Sequence, residues 1–67
     1  MENIIDGIQQ ECNRVRDQLL PAYREIGPAG TFGILVLTKA IEEGEAAIAS
    51  GDIVRMIAAY KELKDSQ

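Results

Sequence analysis

Few side chains in this sequence could do chemistry, and each sits in a pattern that argues for a plainer role. Cys12 is the single thiol of the 67 residues, and there is no histidine. A nucleophilic thiolate wants neighbouring cations, partial exposure and a base. Cys12 instead stands between Ile8 and Val15 on an apolar stripe, with Arg14 and Arg16 directed off that face. One cysteine without histidine cannot build a zinc site. Glu42, Glu43 and Glu45 form a carboxylate cluster, of the kind that binds Mg²⁺ or performs acid–base work when it converges in a cleft. On a helix they fan over its convex side, so a solvated face is expected. Gly27, Gly30 and Gly33 make a glycine-rich link whose amides could cradle a phosphate at a helix start. The phosphate-loop motif requires G-x-x-x-x-G-K-[ST] after a strand. Here a helix precedes the link, Ile34 and Leu35 stand where Lys and Ser/Thr are needed, and Phe32 crowds the mouth. A tight interhelical turn is expected, with Gly33 serving close helix approach. No catalytic, cofactor-binding or metal-ligating residue is assigned, and the chain is read as non-enzymatic.

The elements that position these residues are three helices, giving an all-α fold in one domain over 1–67. Ile4, Ile8, Cys12, Val15, Leu19, Ala22 and Ile26 recur at steps of three and four, a stripe along a first helix spanning about 3–26. Ile5, Leu20 and Tyr23 widen it on one side. Gly7 weakens the first turns. Pro21 lacks an amide and is expected to kink this helix, the alternative being two helices with Pro21 at the start of the second. Gly27-Pro28 is a stop. Thr31 is the expected N-cap of a second helix over 31–49. Its start, Phe32 to Leu37, is apolar on all sides and should be buried on all sides. Its second half turns Leu37, Ala40, Ile41, Gly44, Ala47 and Ile48 inward. Gly51 suits a left-handed C-terminal cap and Asp52 an N-cap for a third helix over 52–64, with Ile53, Met56, Ile57, Tyr60 and Leu63 on one face. The end, 65–67, is expected to fray. Two or three residues join the last two helices, so they form an antiparallel hairpin packed on the long first helix.

Size and charge narrow the function. A chain this short buries only about 60% of its unfolded surface and is marginal alone. Disulfide and zinc are both excluded as staples, which leaves oligomerisation. The apolar turn at Phe32–Leu37 exceeds what one chain can hide, and a symmetric homodimer is the economical solution. The expected interface comprises Phe32, Leu35 and Val36, with Ile4, Ile5, Leu20, Tyr23 and Tyr60. Net charge is −4, and phosphate binding needs a clustered basic face. Arg14, Arg16 and Arg24 on the first helix are the only material for a nucleic-acid-associated regulator, and Glu11, Asp17 and Glu25 dilute them. Direct nucleic-acid binding is not expected, whereas an unidentified protein partner is; the net acidity favours a basic surface on it, although acidity also serves plain solubility. The acidic start and lone thiol point to a cytoplasmic protein, and no apolar run approaches the length of a membrane span.

Gly44, Gly51, Ile57 and Tyr60 fall at the spacings of a tetratricopeptide repeat, and 40–63 resembles one such helical hairpin. Met56 and Ala40 depart from the motif's small residue and its first-helix aromatic. A generic hairpin uses the same local physics, and the resemblance implies at most a protein-binding surface. Glu25-Ile26-Gly27-Pro28-Ala29-Gly30 and Ile48-Ala49-Ser50-Gly51-Asp52-Ile53-Val54 resemble short proteins of temperate phages and prophages. That resemblance implies an accessory protein acting in a bacterial host cytoplasm. The expected function is a non-catalytic interaction module, an adaptor or inhibitor working as a homo-oligomer.

Overall fold

The computed structural model describes residues 3–66, which contain helices and turns and no strand. The first helical run begins at Asn3, whose Oδ1 accepts from the Asp6 amide at 2.9 Å, one of the four amides a helix start leaves without a partner. α1 (Ile4–Arg14) continues into a π-helical turn, Val15–Leu19, and then into α2 (Leu20–Glu25). The π turn is closed by the Leu20 amide donating to the Val15 carbonyl, one residue further back than in an α-helix. Its place is explained by Pro21. In a regular helix the pyrrolidine ring would press on the carbonyl of Asp17 and leave it unpaired, and a widened turn immediately before the proline opens room there. The helix is therefore neither simply kinked nor divided in two.

The extra residue in that turn corrects the expected stripe. Ile8, Cys12 and Val15 are buried as the spacing predicts. Beyond them the inward face advances by one position, so Leu20 is buried and Tyr23 packs on the core. Ala22 and Ile26, expected inside, are exposed.

Gly27 ends α2 in the left-handed region at φ 78, a conformation with little cost only for glycine. A 3₁₀ turn, Gly27–Gly30, then runs directly into α3 (Thr31–Ser50). Gly30, not Thr31, is its N-cap, and Thr31 is already helical. At Gly30 an added Cβ would lie 2.0 Å from the Tyr23 carbonyl oxygen, and at Gly33 2.5 Å from the Tyr23 ring. Only bare backbone permits α3 to lie so close to α2.

Gly51 at φ 71 stops α3. Asp52 starts α4 (Ile53–Asp65), its Oδ1 accepting from the amides of Val54 at 3.0 Å and Arg55 at 3.3 Å. α3 and α4 form the expected hairpin, and both pack on α1. Leu37, Ala40, Ile41, Gly44 and Ala47 face inward from α3 as the pattern predicts. On α4 the buried residues are Met56, Ala59 and Leu63, while Ile53 and Ile57 are exposed. The expected face is thus rotated towards Ala59. α4 also reaches Asp65 rather than Lys64, and Ser66 Oγ donates to the Glu62 carbonyl at 3.1 Å. The fraying expected of 65–67 is therefore corrected for 65 and 66, and Gln67 lies outside the described residues.

Gly7 and Gly44 are packing positions. A Cβ at Gly7 would sit 2.9 Å from Tyr60 Cε1, so the phenol ring lies across the glycine. At Gly44 it would meet Ile8 Cγ2 and Leu63 Cδ1 at 3.1 Å and Cys12 Sγ at 3.3 Å. The neighbours there are side chains of α1 and α4. Gly44→Leu is expected to destabilise the fold by about 1–3 kcal/mol through overpacking. At Gly44→Ala, crowding of a few tenths of an ångström opposes the helix-propensity gain of about 1 kcal/mol, leaving a small net change. Chemical denaturation of both variants measures the difference. A Leu variant as stable as the parent would mean that this seam is open.

Candidate interaction surface

The chemistry-bearing residues do not converge. Cys12 is buried, with Sγ 4.0 Å from the Ile41 carbonyl oxygen. Burial and the neighbouring Glu45 carboxylate push its thiol pKa up, against an opposing pull from Arg16, and Glu11 adds to the rise. Arg16 is thus nearer the thiol than the sequence pattern implied. The three glutamates part company. Glu43 takes both Arg55 Nε at 2.7 Å and Arg55 Nη2 at 3.2 Å, which holds its carboxyl below the usual range. Glu45 pairs with Arg16 at 3.5 Å, and Glu42 is exposed. Two members of the expected solvated face therefore tie α3 to α4 and to the π turn. Among the described residues no group of acidic, cysteine or histidine side chains could hold a metal.

The arginines of the first helical run are largely committed within the chain. Arg14 Nε donates to Glu11 at 2.9 Å, and its Nη2 donates to the carbonyls of Leu63 at 2.9 Å and Ser66 at 3.4 Å. Leu63 lies in the last turn of α4 and its carbonyl also accepts from the Ser66 amide at 3.2 Å, while Ser66 is the C-cap residue of that helix. Arg16 also donates to Asn13 Oδ1 at 3.2 Å. Arg24 is exposed. No basic face results.

The structure divides the expected interface residues. Leu20 is buried in the core, and Ile4, Tyr23 and Tyr60 pack against it, so these four are engaged by the chain's own folding. Ile5 is exposed. Phe32, Leu35 and Val36 are 76%, 60% and 46% exposed. The all-round burial expected of this turn does not occur within one chain. Val36 joins two shallow grooves. One is lined with Tyr23, Ala29, Phe32, Gly33, Leu37 and Ser66. The other is lined with Ala58, Lys61, Glu62, Asp65 and Ser66 of α4 and the chain end.

A second exposed apolar group at the start of α4, Ile53, Val54 and Ile57, was not anticipated as surface. Ile53 and Ile57 belong to the face that the sequence pattern predicts as buried. Its legible signal was the pair Ile53-Val54, whose adjacent side chains cannot both point inward on one helix. Among the described residues no helix is long and apolar enough to cross a membrane. Compared with known proteins, the chain matches no family model, no curated protein and no solved structure.

Two consequences can be measured. A buried thiol whose pKa is raised stays protonated at neutral pH, so Cys12 should resist alkylation in the folded protein and react fully once denaturant unfolds it. Rapid labelling without denaturant would contradict its burial. Arg14→Met should remove the bonds to Leu63 and Ser66 and destabilise the fold by about 1–2 kcal/mol, allowing for partial exposure. Amide hydrogen exchange should accelerate first in the last turn of α4.

Proposed function

We propose that the chain is a non-catalytic protein–protein interaction module, a small phage-type accessory adaptor or inhibitor that works as a homo-oligomer in a bacterial cytoplasm. The supporting observation is the exposed turn of Phe32, Leu35 and Val36. Single apolar side chains on a surface are ordinary, but three on adjoining positions of one turn form a patch of the kind that marks interaction sites. Every other feature of the site is consistent with recognition without chemistry. The carboxylates are spent on ion pairs or lie exposed, and the thiol is inside. The net charge of −4 favours a basic surface on any further partner. The commitment of Arg14 and Arg16 within the chain weighs against action on nucleic acid.

Light scattering at high micromolar concentration is expected to give a mass above 7.3 kDa, and the melting temperature should rise with protein concentration, since assembly is linked to folding. Leu35→Asp should weaken the assembly about tenfold or more and flatten that concentration dependence. A monomer at every concentration would count decisively against the oligomeric reading.

A further inference from the structure

We draw no further inference here: the strongest candidate, the exposed apolar patch of Phe32, Leu35 and Val36 at the start of α3 with the shallow grooves that meet at Val36 and the second patch at the start of α4, is an unpartnered face, and nothing in the structure shows what covers it.

Discussion

The fold depends on one missing hydrogen. Pro21 has no amide to give, and the chain answers with a π turn over Val15–Leu19 instead of breaking its helix. That turn holds one residue more than an α turn, so everything beyond it is rotated by about a quarter of a revolution or slightly more. Leu20 and Tyr23 thereby come inward. Tyr23 then presents its carbonyl to Gly30 and its ring to Gly33, and the close approach of α3 follows from the absence of side chains at those two positions. With any Cβ at Gly30 the reversal between α2 and α3 would have to open.

The same close approach leaves Phe32 outside. α3 is pinned by Gly30 and Gly33 on the side facing Tyr23, and α4, with 13 residues against the 20 of α3, ends at Asp65 beside Val36. The corner is geometrically committed before any partner is considered.

Much of this was legible in the residues. Asp52 and Gly51 mark the hairpin turn because capping and left-handed backbone are local properties. The inward face of α3 from Leu37 to Ala47 was legible because nothing interrupts its period. The π turn was not, since a proline in phase with an apolar stripe reads as a kink and the stripe offers two registers, Leu19-Ala22-Ile26 or Leu20-Tyr23. Tertiary contact with the glycines decides between them, and that information is spread over two helices. The rotation of α4 was hidden for a related reason. Hydrophobicity ranks Ile53 and Ile57 above Ala59, whereas the packing of α4 against both α1 and α3 decides which face is buried. Of the expected interface, the local excess of apolar residues at Phe32–Val36 was visible. The engagement of Leu20, Tyr23 and Tyr60 in the chain's own core required knowing which face each helix turns inward.

Core and surface are also joined through one side chain. Arg14 belongs to the first helical run, yet its guanidinium holds the carbonyls of Leu63 and Ser66 at the end of α4. Ser66 in turn lines both grooves that meet at Val36. The position of this wall is therefore set from α1, about fifty residues away in the chain. A charged group is suited to the task, since carbonyls at a helix C-terminus carry partial negative charge and accept stronger bonds from a charged donor than from a neutral one. Helix ends beside an exposed apolar patch are ordinarily the least stable part of a small domain. Here the end is tied down, so a partner arriving at Val36 and Phe32 meets an ordered wall, and less of the binding free energy is lost to ordering it on contact.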